Sequence, residues 1–115
     1  MREDCIFCKI ARGELNTKFV YKDELVVAFD DINPLAPVHV LVVPVEHISS
    51  LAQIDVEHEG LLGRLMRICN DVAELKGVRN SGYRVLINTG KDGRQIINHL
   101  HIHVLGGRKM KTEGD

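Results

Sequence analysis

No stretch of this chain is apolar for long enough to cross a bilayer. A spanning helix needs about 18–20 such residues, and the longest run here, Val38 to Val45, is interrupted by His39 and Pro44. Met1-Arg2-Glu3-Asp4 leads straight to two cysteines, without the apolar core of a secretion signal. A cytoplasmic protein, not held in a membrane, is the expectation. Cysteine is scarce. Cys5, Cys8 and Cys69 form an odd set, which does not make a disulfide framework. Net charge is scarce too: 15 Lys and Arg against 16 Asp and Glu leave −1, no field to gather nucleic acid or an anionic membrane. Arg108, Lys109 and Lys111 near the C-terminus read as solvated cations rather than a nucleic-acid site. Repeats, low-complexity stretches and linkers are absent, and 115 residues suit one domain, 1–115, around one core.

What is present is an ordinary soluble balance, 44% apolar and 27% charged. Lys18 to Asp30 predicts two short strands around a turn at Lys22-Asp23-Glu24, because Phe19, Tyr21, Val26, Val27 and Phe29 favour strands. Asn33-Pro34 and Pro37 break the chain, and His39 to Val43 resumes a strand that Pro44 ends. Val56 to Lys76 predicts one long helix, capped by Asp55 and ended by Gly77. Its broad apolar face comprises Leu61, Leu62, Leu65, Met66, Ile68, Cys69, Val72 and Ala73. Two strands follow, Tyr83 to Thr89 and His99 to Leu105, around a turn at Gly90-Lys91-Asp92-Gly93. The predicted class is α+β: about five antiparallel strands, one long helix and a short N-terminal helical turn. Such a sheet leaves an edge or face that a homodimer would cover.

The segment His99-Leu100-His101-Ile102-His103 carries most information. On a strand, side chains alternate, so the three imidazoles share one face and the aliphatic residues the other. A merely solvated face is a poor reading of three histidines in five positions. One metal shared by all three fails on distance: at about 3.3 Å per residue, His99 and His103 lie about 13 Å apart along the strand, beyond the reach of bonds of about 2.0–2.1 Å. A row of imidazoles instead suits an extended anionic substrate such as a phosphate ester, since a neutral imidazole is a nucleophile and a protonated one stabilises charge. Cys5-x-x-Cys8 admits three readings: a redox pair, two buried thiols, or half of a zinc site that needs two more ligands.

This row, followed by Gly106-Gly107-Arg108, resembles the signature of the histidine-triad (HIT) family, close to its nucleotide-binding-protein (Hint) branch. The resemblance extends through Cys5-Ile6-Phe7-Cys8-Lys9-Ile10, Ala28 to Pro34, Pro37 to Pro44, His47-Ile48 and Tyr83 to Asn88. It implies a purine nucleotide hydrolase of the adenosine phosphoramidase type. His101 would be the nucleophile on the α-phosphate, giving a nucleotidyl-histidine that water cleaves to release AMP. His103 would hold a phosphate oxygen or protonate the leaving amine. His99 and His39 complete the catalytic set, His39 buttressing the row; read without the resemblance, His39 is a core histidine with one hydrogen bond. Asp31 would accept the ribose hydroxyls. Ile6, Phe7, Ile10, Phe29 and Ile32 would wall a purine, although each alone reads as core. Asn88 and Gln95 would lie near the phosphate.

The same resemblance closes a structural Zn²⁺ site on Cys5 and Cys8 with His47 and His99, and implies a homodimer that binds purine nucleotides (AMP or GMP and their phosphoramidates). Three positions depart from the Hint pattern: Arg94 replaces a glycine, Ile96 a serine, and Asn98 an aromatic residue or proline. They touch the leaving-group side. Two other functions remain open at this level: a dinucleoside polyphosphate hydrolase, and a nucleotide-binding regulatory module with incidental hydrolysis.

Overall fold

The computed structural model describes residues 4–111. Its elements are α1 (Ile6–Ala11), β1 (Phe19–Lys22), β2 (Val26–Asp30), β3 (Val38–Pro44), α2 (Glu59–Leu75), β4 (Tyr83–Leu86) and β5 (Ile102–Gly106), with 3-10 turns at Leu51–Gln53 and Val56–His58. The strands form one sheet in the order β1-β2-β3-β5-β4, every neighbouring pair antiparallel. No described helix is long and apolar enough to cross a membrane.

The alternation of β3 and β5 divides the molecule in two. Val40, Val42, Ile102 and Val104 face α2 and close over Leu65, Ile68, Cys69, Val72 and Ala73. The opposite face carries Leu41 and Val43, packed with Val27, Phe29 and the α1 residues Phe7, Ile10 and Ala11. Each face is thus covered by one helix, and the histidines lie on the α1 side.

The local rules explain the boundaries. Asp23 turns β1 into β2 by accepting the Leu25 and Val26 amides, each at 2.8 Å, an Asx turn. Asp55 caps its helix as expected, accepting the Glu57 amide at 2.9 Å, and His58 Nδ1 returns the favour at 3.1 Å by accepting the Asp55 amide. That box draws Val56–His58 into a 3-10 turn, so α2 begins at Glu59 rather than Val56. Gly77, at φ +75°, ends it. The apolar face is narrower than the sequence predicts: Leu61 and Leu62 are half-buried and Met66 is 42% exposed, because a helix lying on a sheet buries only one stripe.

The last strand also starts late. His99 to His101 precede β5, although their side chains keep the alternation, Leu100 joining the α2 core. In the β3–β5 register, Pro44 stands where Leu100 would pair; it has no N–H to extend the ladder. The β4 strand stops at Leu86, short of Thr89, opposite His103.

Candidate active site

β3 delivers His39 and β5 delivers His103, and the cross-strand diagonal brings His39 Nε2 to 2.9 Å from His103 Nδ1. The remaining partners assign the protons. Leu35 N–H donates to His39 Nδ1 at 3.1 Å, so the neutral ring carries its hydrogen on Nε2, which donates to His103 Nδ1. The His103 hydrogen is thereby displaced to its own Nε2. His101 Nδ1 lies 2.7 Å from the carbonyl oxygen of His99, which only accepts; Nδ1 is protonated and the lone pair sits on Nε2. One imidazole presents a lone pair, its neighbour an N–H, with ring centroids 5.1 Å apart.

Burial keeps these rings neutral. His101, only 8% exposed, is pushed below the usual histidine value by loss of solvent, against the opposing pull of the His99 carbonyl and Asp31. His39 moves down for the same reason. His103 is pushed down to about 4, first by burial and then by the neighbouring His101 and His39.

Asp31 follows β2. Its Oδ1 accepts the Asn33 amide at 2.8 Å and its Oδ2 lies 3.5 Å from His39 Nε2. Phe7 stands between the aromatic groups, edge-on to Phe29 at 5.7 Å and to His101 at 5.2 Å. Phe7, Ile10 and Phe29 are buried, whereas Ile6 is 49% and Ile32 91% exposed. Asn88 is half-buried beyond the end of β4. Gln95 is differently engaged from expectation. Its Nε2 hydrogens go to the carbonyls of Ser49 (2.7 Å) and Ile97 (2.9 Å), and its Oε1 accepts the Gly90 amide at 3.0 Å. With both hydrogens spent on backbone, it is a strut of the 90–97 loop. Among the departing positions, Arg94 adopts φ 62°, Ile96 is 90% exposed and Asn98 is exposed.

Cys5, Cys8, His47 and His99 place one ligand atom each within 4.8 Å of all the others. Sulfur-to-nitrogen separations are 3.3 Å (Cys5–His99), 3.6 Å (Cys8–His99) and 3.3 Å (Cys8–His47), close to the edges of a tetrahedron with Zn–S of about 2.3 Å and Zn–N of about 2.0–2.1 Å. His99 has the right tautomer. Its Nε2 donates to the Pro44 carbonyl at 2.9 Å, leaving Nδ1 as a lone pair toward the sulfurs, the outer-partner arrangement of a metal-bound histidine. Asp31, His39 and His103 also cluster within 4.8 Å. They are not a comparable ligand set, because the Leu35 amide holds the His39 hydrogen on Nε2, the atom a metal would need.

Several supports carry no mark in the sequence: the Leu35 amide and the carbonyls of Pro44 and His99 are backbone. Arg108, read from sequence as solvated, donates to the Leu35 carbonyl at 2.9 Å and braces the loop that orients His39. Its place directly after Gly106-Gly107 was the available signal.

The comparisons with known proteins agree with this geometry. A family model described as HIT domain matches residues 12–110. The purine nucleoside phosphoramidase of Escherichia coli K12 is 43% identical over 110 residues, covering 96% of this chain and 92% of that protein. A histidine triad protein from Clostridium difficile superposes with TM-score 0.95 at 44% identity, covering 99% of both chains. A HIT family hydrolase from Legionella pneumophila gives 0.92 at 37% identity, covering 95% of this chain and 97% of that one. With its imidazole row, its sheet and these matches in accord, the chain belongs to the HIT domain family.

Proposed function

We propose that this protein is a purine nucleoside phosphoramidase that transfers the nucleotidyl group to His101 and releases AMP or GMP. The observation that carries the reading is the pair of tautomers: an unprotonated Nε2 on His101 beside a proton-bearing Nε2 on His103. The lone pair attacks the α-phosphorus while the Nε2–H of His103 holds a phosphate oxygen and stabilises its charge; the P–N bond breaks, and the leaving amine takes its proton from water. His39 orients His103 through the 2.9 Å contact, its Nε2–H keeping the His103 hydrogen on the Nε2 that faces the substrate. Water then attacks the nucleotidyl-histidine, freeing the nucleotide. Splitting one displacement into two is the gain of covalent catalysis.

Asp31, an acceptor-only group with part of its carboxylate exposed, suits the ribose hydroxyls. Ile6 and Ile32 offer exposed apolar surface to a purine over Phe7, Ile10 and Phe29. Asn88 supplies a polar contact near the phosphate, while Gln95 shapes the loop beneath it. The name of the Escherichia coli relative, at 43% identity, supports the substrate class. Cys5, Cys8, His47 and His99 would hold a zinc ion, which supplies a cross-link between α1, the segment after β3 and the start of the histidine row. The edge strand β4, half-buried along most of its length, is the face on which two copies would pair into a homodimer.

Intact-protein mass spectrometry after mixing with adenosine 5′-phosphoramidate tests the chemistry. Wild type gains the mass of one AMP, or releases AMP too fast to accumulate it, and His101→Ala does neither. Absence of both adduct and AMP from wild type overturns the proposal.

A further inference from the structure

The candidate metal centre is closed on one side and open on the other. Cys8 is fully buried, but Cys5 is only half-buried. Cys5 and His47 line an open cavity of about 500 Å³ together with Ile6, Ser49, Ile97 and Asn98. A small polar molecule in that cavity lies against Cys5 and His47, the two members of the cluster on its open side. The two cysteines also sit one helical turn apart. Cys5 caps α1, its sulfur accepting the Cys8 amide at 3.4 Å, and its carbonyl accepts the Lys9 amide at 3.1 Å. Helical geometry separates such α-carbons by about 5 Å, inside the range a disulfide spans, and the sulfurs lie within 4.8 Å.

From this placement we infer that Cys5 and Cys8 are a peroxide-sensitive thiol pair whose oxidation to a disulfide releases the zinc; the inference rests on the zinc reading above. The Cys5 sulfur attacks one peroxide oxygen, the O–O bond breaks, and the departing hydroxide takes a proton to become water. The Cys8 sulfur then displaces the second hydroxide from the Cys5 sulfenic acid, and that too leaves as water. Two thiolates, one hydrogen peroxide and two protons thus give one disulfide and two waters. The sulfurs are oxidised, and the ion loses two of its four ligands. His99 then loses its tie to α1, so oxidation acts on stability rather than on the chemistry of His101. Cys69 is an internal control: it is 2% exposed and packs in the core under α2, on the face of the sheet away from the Cys5–Cys8 pair.

The test titrates the zinc-loaded full chain with hydrogen peroxide in the presence of a chromogenic zinc indicator. One zinc is released per protein, the intact mass falls by two hydrogens, and peptide mapping finds Cys5 joined to Cys8 with Cys69 unchanged. The melting temperature drops by at least about 5 °C, matching the drop caused by a chelator. Dithiothreitol followed by zinc reverses all three changes. Retention of zinc through the titration, or oxygen atoms added to Cys5 without a disulfide, overturns the thiol-pair proposal and leaves the zinc reading standing. A chain that takes up no zinc at all sinks both. A Cys69→Ala variant behaves as wild type; loss of the response in that variant also overturns the assignment.

Discussion

At His101 one hydrogen bond, to the carbonyl two residues back, decides which nitrogen can attack. Replacing His101 by Ala removes the proposed nucleophile and lowers kcat by several decades, while leaving circular dichroism and melting close to wild type; a variant of near-normal activity rules the mechanism out. His39 acts through His103 rather than on the substrate. Its replacement by Ala removes the hydrogen bond that orients His103 and leaves the Leu35 amide without its imidazole partner. The expected loss is about 10- to 100-fold in kcat with KM little changed, read from steady-state kinetics; a change confined to KM contradicts this orienting role. His103 also makes stability depend on pH. Its folded value, about 4, lies below the ordinary 6.5, so between these values the unfolded chain takes up a proton that the folded chain does not. Stability therefore falls as pH drops from 6.5 toward 4, and this contribution changes no further below it. Denaturant midpoints measured across that window fall less steeply in His103→Gln than in wild type.

At the scale of elements, the sheet depends on close approaches as much as on apolar faces. Gly106 ends β5 where a Cβ would meet the Val78 side chain at 3.0 Å, and Gly107 adopts φ +92° against Pro37. Gly106→Ala overpacks that contact and costs about 1–3 kcal/mol, measured by chemical denaturation; an unchanged midpoint shows that Val78 yields freely. On α2, Leu65 is fully buried and its neighbour Met66 is not. Periodicity placed both on the apolar face, and only the contact with the sheet separates them. The strand ending at Pro44 and the late start of β5 have one cause: a residue without an N–H where a ladder would continue. Sequence showed the proline and the histidine row, but not that they face one another.

For the whole molecule, the proposed zinc ties three distant segments together, at residues 5–8, 47 and 99. Removing it with a chelator, or with Cys5→Ser, lowers the melting temperature by at least about 5 °C and changes the rate at 25 °C by no more than a few-fold. Elemental analysis showing no metal, with unchanged melting, removes the zinc from the description. The place of β4 at the end of the sheet underlies the expected dimer in solution; a monomer by light scattering at micromolar concentration counts against it.

What the sequence determined by itself was periodic and local: the α+β class, the strand and helix order, the shared face of His99, His101 and His103, and the Cys-x-x-Cys spacing. Alternation and helical period leave their mark on neighbouring side chains, and the family resemblance extended these to His39, His47 and Asp31. Tertiary structure decided which nitrogen of each imidazole carries a proton, because that depends on the Leu35 amide and on the carbonyls of Pro44 and His99. It also turned Gln95 and Arg108 into struts of the site's loops. Backbone amides and carbonyls are alike at almost every residue, so no sequence marks the ones that folding will bring to a ring nitrogen.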